Sequence, residues 1–188
     1  VAASGFPNYF GPQRFGQQGQ TARQGLDLLT GTLRPADLPR VRRRFLLRLS
    51  ISAAQSLVFN TVLAERITAD RAATVTTGDI LQKTDSGGLF LCESPEADQP
   101  RLEAGEVMVT GPLHGPKMQQ PEGEPARWEA AALARWELEP KQFVEFSRVA
   151  HGTRRRLLVH PGEVVATPAT GGIQLTFTLP PGVYATVM

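Results

Sequence analysis

The chain has 188 residues, 41% of them hydrophobic, a formal net charge of +2 and the single cysteine Cys92. That length can bury a sizeable core in one large or two small domains, and without a long apolar run or leader-like start the expectation is a soluble, cytoplasmic globular protein with no membrane span. One cysteine rules out an internal disulfide, and no Cys/His grouping has metal-ligand spacing, so no metal is expected.

Charge is unevenly spread. Eight arginines oppose Asp27 and Asp37 in residues 1–48, giving +6; residues 49–150 carry −6, and residues 151–188 return to +2. Basic ends around an acidic middle suggest a module inserted into a domain that faces a polyanion.

The first notable stretch is Gly5-Phe6-Pro7-Asn8-Tyr9-Phe10-Gly11-Pro12-Gln13-Arg14-Phe15-Gly16. Proline and glycine punctuate it too often for a helix, and no alternation persists for a strand, so it reads as a loop. Its aromatic rings can stack on a base, Asn8 can bond a base edge and Arg14 can neutralise phosphate. The same composition also fits a loop that tucks Phe6, Tyr9, Phe10 and Phe15 into the core.

Downstream, Thr21 to Thr30 reads as a short helix with Ala22, Leu26 and Leu29 on one face and Gly31 as its stop. The linker Arg34 to Pro39 leads to a second helix, about 39–49, with Val41, Phe45 and Leu49 on its apolar stripe and Arg40, Arg43, Arg44 and Arg48 outside. No acids lie at helical spacing to compensate those arginines, so phosphate contact competes with a merely solvated face. Ser52-x-x-Gln55 has capping-box spacing and opens a third, core helix to about Ala69.

Thr74 to Leu81 and Gly88 to Glu93 read as strands joined by a turn at Thr84-Asp85-Ser86-Gly87, with Gly78-Asp79 as a bulge. Asp79 reads as a turn-bonding side chain rather than a catalytic acid. A short strand at Glu106 to Thr110 precedes a loop with His114 and Lys117, and a helix from about Ala126 to Leu138 carries Trp128 and Trp136 as core pieces. Strands follow at about 154–159, 162–167 and 172–179. Leu175, Phe177 and Leu179 alternate with polar residues, as in a half-buried antiparallel strand.

The run Asn8-Tyr9-Phe10-Gly11-x-Gln13-Arg14-Phe15-Gly16 resembles the NYFGxQRFG signature of the TruD family of tRNA pseudouridine synthases. Further islands of likeness are Leu49 to Asn60, Glu65-Arg66, Gly78-Asp79, Thr110-Gly111-Pro112, Arg154 to Leu158 and Leu179 to Thr186, so the resemblance covers nearly the whole chain. It implies an α+β fold: a partial pseudouridine-synthase sheet domain, mixed or antiparallel, at 1–39 and 153–188, interrupted by an α+β insertion domain at 40–152. Asn60 and Glu65-Arg66 read as structural: an amide bonding within the fold, and an ion pair or cap.

The resemblance also implies the chemistry. Such enzymes break the N-glycosidic bond of an RNA uridine, rotate the base and rejoin it through carbon, without cofactor or metal, on a base taken out of its stack. By position in the motifs, Asn8 would bond the flipped uridine or order the catalytic aspartate, Phe10 would stack on the base, and Tyr184 would supply the opposite aromatic wall. Arg14, Arg40, Arg43, Arg44, Arg154, Arg155 and Arg156 would meet RNA phosphates. The family's GxxNxD-type aspartate motif is not in this sequence, so the nucleophile is expected upstream of Val1, in a missing N-terminal part of the same polypeptide. The expected protein is a monomeric synthase for the uridine at position thirteen of tRNA, with this chain inactive by itself. A noncatalytic RNA-binding module is the competing reading.

Overall fold

The structure is a computed structural model and describes residues 5–187. Val1, upstream of which the nucleophile is expected, lies outside the described residues.

Helix α1 (Gln20–Thr30) ends at Gly31, whose φ of 81° a residue with a side chain rarely adopts, and it packs against α2 (Arg43–Thr68). The two helices expected on either side of Ser52 are one helix of 26 residues. The Ser52 hydroxyl donates back to the Leu49 carbonyl at 3.0 Å, within the helix rather than at its start. The local capping signal loses because Leu46, Leu47, Ile51, Ala54, Val58 and Val62 all pack into one cluster, which an unbroken helix alone permits. The expected stripe of Val41 and Phe45 is exposed instead, at 98% and 59%.

Two cores share α2 as a wall. One gathers Leu28 and Leu29 of α1 with Leu133 and Phe143; the other places Phe59 and Leu63 of α2 against Phe10, Leu81, Val109 and Leu157. By length and apolarity α2 matches a membrane-crossing helix, but these residues spend its apolar surface inside the protein. Where α1 meets α2, a Cβ on Gly25 would lie 2.1 Å from the Ser50 carbonyl oxygen. Alanine in a helix is ordinarily better than glycine by about 1 kcal/mol; here Gly25→Ala is expected to destabilise by about 2 kcal/mol or more, read as a lowered thermal midpoint.

An antiparallel sheet of order β3-β2-β4-β5 packs on the second face of α2. Its strands are β2 (Ile80–Lys83), β3 (Leu89–Leu91), β4 (Val107–Leu113) and β5 (Thr153–Arg156). The turn at residues 84–87 is as expected, with Lys83 N–H donating to the Gly88 carbonyl. The strand does not begin at Thr74, and Gly78-Asp79 is a turn rather than a bulge: Thr76 N–H donates to the Asp79 carboxylate at 2.8 Å.

Helix α3 (Pro95–Glu103), α4 (Gly123–Ala134) and α5 (Pro140–Glu145) follow the sheet's turns and connections. The sequence reading does not include α3 and α5, although each opens with proline at its first position, and Glu139 and Gln142 cap α5 reciprocally. Trp136 Nε1 donates to the Thr61 hydroxyl at 2.9 Å, and the Arg66 guanidinium lies 4.8 Å from the Trp128 ring centre, so both indoles serve the fold. Strand β6 (Leu158–Val159) pairs with β1 (Phe6–Pro7), tying the late chain to the early loop. The hairpin of β7 (Gly162–Ala169) and β8 (Gly172–Thr178) forms, but it is not half-buried as its alternation suggests: Ile173 and Leu175 are 74% and 56% exposed.

His114 lies in the loop after β4 as expected, but its side chain is buried against Phe143, ring centres 5.5 Å apart. Burial, reinforced by Arg154, lowers its pKa to about 4. In the unfolded chain it titrates near 6.5, so the unfolded state binds the proton first. The contribution to stability is therefore complete above about pH 6.5, falls as pH drops towards 4 and then levels, a loss of up to about 3 kcal/mol. Urea unfolding at pH 7 and pH 4.5 should show that loss, reduced in His114→Gln.

Candidate nucleic-acid-binding site

The pairing of β1 with β6 continues in one further bond, Asn8 N–H to the Leu157 carbonyl at 2.8 Å, which lays the early loop beside β5. Asn60 of α2 then fixes the next residue but one. Its amide accepts from Phe10 N–H at 2.9 Å and donates to the Phe10 carbonyl at 3.0 Å, satisfying both backbone groups with one side chain.

Phe10 is 9% exposed, edge-on to Phe59 at 5.5 Å and to Tyr184 at 5.8 Å between ring centres. Two motifs at opposite ends of the sequence thus meet. Gly11 permits the approach, since a Cβ there would lie 2.8 Å from the Thr186 hydroxyl and 3.1 Å from the Tyr184 ring.

The arginine triplet divides by strand alternation. Arg154 points inward, its side chain 1% exposed, and forms two bonds with Glu129 of α4 at 2.7 and 3.0 Å and two more with the Thr110 hydroxyl and carbonyl. It has no donor to offer a phosphate, which corrects the expectation for this residue. Arg156 is partly buried and donates to Gln82 at 2.7 Å. Arg155, on the other face, lies over the Phe10 ring with its guanidinium carbon 4.1 Å from the ring centre. It donates to Asn8 Oδ1 at 2.5 Å and to the Gly182 carbonyl at 3.1 Å, joining the early loop to the Tyr184 segment.

Arg14 reaches the same ring from 5.6 Å and donates through Nε to the Ser56 hydroxyl at 3.1 Å. Burial, with Arg14 nearby and only Tyr184 opposing, pulls the Arg155 pKa down to about 10; it stays charged at neutral pH. Two cavities flank Arg155. One of about 320 Å³ is lined by Phe10, Arg14, Ser52, Gln55, Arg155 and Tyr184 among others, and one of about 480 Å³ by Asn8, Arg156, His160 and Pro181 among others. Among the described residues neither lining includes a carboxylate.

Asn8 is buried, its amide donating to the Arg156 carbonyl at 2.9 Å while its side-chain oxygen accepts from Arg155. Both ends of the side chain are therefore engaged within the fold. Arg40, Arg43 and Arg44 line a separate open groove with Arg148, and Arg43 also donates to the Ala36 and Leu38 carbonyls. Asp79 is 1% exposed and bound to Arg66 at 2.6 and 3.0 Å, a structural ion pair. Among the described residues no group of three or more His, Cys, Asp or Glu is placed to hold a metal. Asn60 is the fold-bonding amide the sequence suggests, whereas sequence reasoning misses what Ser56 and Gly182 do at this site, because each acts across a long sequence separation.

Guanidiniums without acidic partners among the described residues, set around an aromatic ring, are the groups that a flat, anionic ligand such as a nucleotide requires. Similarity to known proteins then supplies the family. The family model for tRNA pseudouridine synthase D (TruD) matches residues 38–188, and the chain belongs to that family. It is 45% identical over 190 residues to the protein named tRNA pseudouridine synthase D of Anaeromyxobacter sp. (strain Fw109-5), covering 100% of this chain and 54% of that one. The namesake of Thermus thermophilus is 36% identical over 187 residues, covering 99% and 49%. The chain spans about half the length of the curated relatives it matches. A crystal structure from Methanosarcina mazei bearing the TruD name superposes with a TM-score of 0.72 at 22% identity, over 99% of this chain and 60% of that one, which shows the α+β fold to be shared.

Proposed function

We propose that this chain is the base-receiving wall of a tRNA pseudouridine synthase acting on the uridine at position thirteen. The observation that carries the reading is the convergence of Phe10, Tyr184, Arg14 and Arg155 on one cavity of about 320 Å³. A flipped base would enter beside Tyr184 and stack on Phe10. Arg155 covers one face of that ring at 4.1 Å, which leaves the base to stack from the Tyr184 side. Asn8 acts by holding Arg155 and the Arg156 carbonyl, which orders the pocket floor.

The isomerisation breaks the bond from C1′ to N1 and forms one from C1′ to C5; N1 ends protonated and C5 loses its hydrogen. A nucleophilic carboxylate is needed, and the described cavity linings hold none. The reading therefore places the aspartate upstream of Val1. It divides the chain into synthase-domain pieces at 1–39 and 153–188 around an inserted 40–152. Arg40, Arg43 and Arg44, which line an open groove away from the cavity, contact tRNA phosphates.

Turnover tests the reading. The complete polypeptide should form pseudouridine in a tRNA transcript with uridine at position thirteen and none in a transcript with cytidine there. Equal product from both transcripts would refute the position, and none from either would leave the noncatalytic RNA-binding reading.

A further inference from the structure

We propose that Arg14 and Arg155 together form a receiving site for one phosphodiester group of RNA, in the cavity of about 320 Å³ beside Phe10 and Tyr184. This rests on the reading above and deepens it: of seven candidate arginines, two act as one unit next to the base.

Charge singles the pair out. Both guanidiniums lie over one aromatic ring, at 5.6 and 4.1 Å, and like charges so placed repel. Among the described residues the two fully buried arginines are neutralised, Arg66 by Asp79 and Arg154 by Glu129, each through two bonds, and the half-buried Arg43 and Arg156, also without a carboxylate, line other cavities. Among the described residues neither Arg14 nor Arg155 has a carboxylate partner.

The free donors point the same way. Among the described residues Arg14 spends only Nε, on Ser56, leaving both terminal nitrogens. Arg155 spends Nε and Nη2 on Asn8 and Gly182, leaving Nη1. The anchored nitrogens fix each planar fork while the others remain for an acceptor, an arrangement that suits phosphate oxygens. The remaining polar lining, Ser52, Gln55 and Ser56, is neutral and adds no repulsion to an anion. The lowered pKa of Arg155 agrees with a cation held at some cost.

Arg154 is excluded because its donors are consumed, and Arg40, Arg43 and Arg44 line a different groove. A phosphate bound here lies next to the base on Phe10, so the site selects a nucleotide that is already out of its stack.

The test measures binding of a tRNA transcript by the chain from 50 to 200 mM KCl, using fluorescence anisotropy. Each phosphate neutralised contributes about 0.7–0.9 to the slope of log K against log salt. The double variant Arg14→Gln/Arg155→Gln should reduce the slope by about 0.7–0.9, one phosphate, while Arg14→Lys/Arg155→Lys retains it. A reduction near twice that means two separate phosphates and overturns the shared site, as does no reduction in a variant whose thermal midpoint is retained. Should the double variant not fold, affinity decides on Arg14→Gln, whose side chain hydrogen-bonds only Ser56 among the described residues; an affinity at 50 mM KCl equal to that of the unaltered chain then overturns the site. If the unaltered chain shows no salt-dependent binding, the RNA reading falls with the site; if it binds steeply and the variants do likewise, only the site falls.

Discussion

Replacing Glu129 by alanine is expected to cost about 3–5 kcal/mol of stability, measured by urea unfolding at neutral pH. The Arg154 side chain is 1% exposed, and with Glu129 gone its guanidinium keeps the Thr110 bonds and a weak one to Met118 Sδ while its charge stays buried. Arg66 and Asp79 lie close enough to act on Glu129 as well, so four buried charges from α2, the turn before β2, α4 and β5 gather here. The double change Arg154→Met/Glu129→Leu removes both charges and should cost much less than the single one, because no ion is stranded. A loss below about 1 kcal/mol for Glu129→Ala would mean that Arg154 reaches water, and its phosphate role would reopen.

Phe10→Ala should act at two levels. It deletes a ring packed on Phe59 and Tyr184 and lying beneath Arg155, with an expected stability cost of about 3–5 kcal/mol. Separately, losing a base-stacking surface is worth about 1–3 kcal/mol of RNA affinity, roughly 5- to 150-fold. Anisotropy binding corrected for the folded fraction distinguishes them. Reduced stability with unchanged affinity per folded molecule would make Phe10 a core piece only, the reading its composition alone allows. Phe10→Leu retains most of the packing and none of the aromatic face, so it should show the affinity loss with a milder effect on stability.

How much of this is legible in the sequence depends on the distance over which each residue acts. The early loop is legible because its work is concentrated in consecutive residues, Asn8 to Gly16, and the period-two and helical patterns locate most elements. The arginine triplet is not. Adjacent positions on a strand face opposite ways, but which of them meets Glu129 depends on how β5 registers with β4 and where α4 packs. His114 misleads for a similar reason: the glycines and prolines around it, Gly111-Pro112 and Gly115-Pro116, are a local loop signal, while its burial comes from Phe143, further along the chain. Ser52-x-x-Gln55 is a genuine capping pattern overridden by a continuous apolar face, the usual way tertiary packing defeats a local signal. The hairpin β7–β8 shows the reverse, a correct strand pattern whose apolar face stays exposed among the described residues.

The central claim is that this chain supplies the base-side wall of a pseudouridine synthase whose reacting carboxylate lies elsewhere in the polypeptide. The most direct measurement replaces the matching 190 residues of the 45%-identical Anaeromyxobacter relative with this chain and quantifies pseudouridine in a tRNA transcript. Product is expected from the chimera, with a large loss in its Phe10→Ala form and none from residues 1–188 alone. Turnover by the chain alone, or a Phe10→Ala chimera as active as its parent per folded molecule, would contradict the claim.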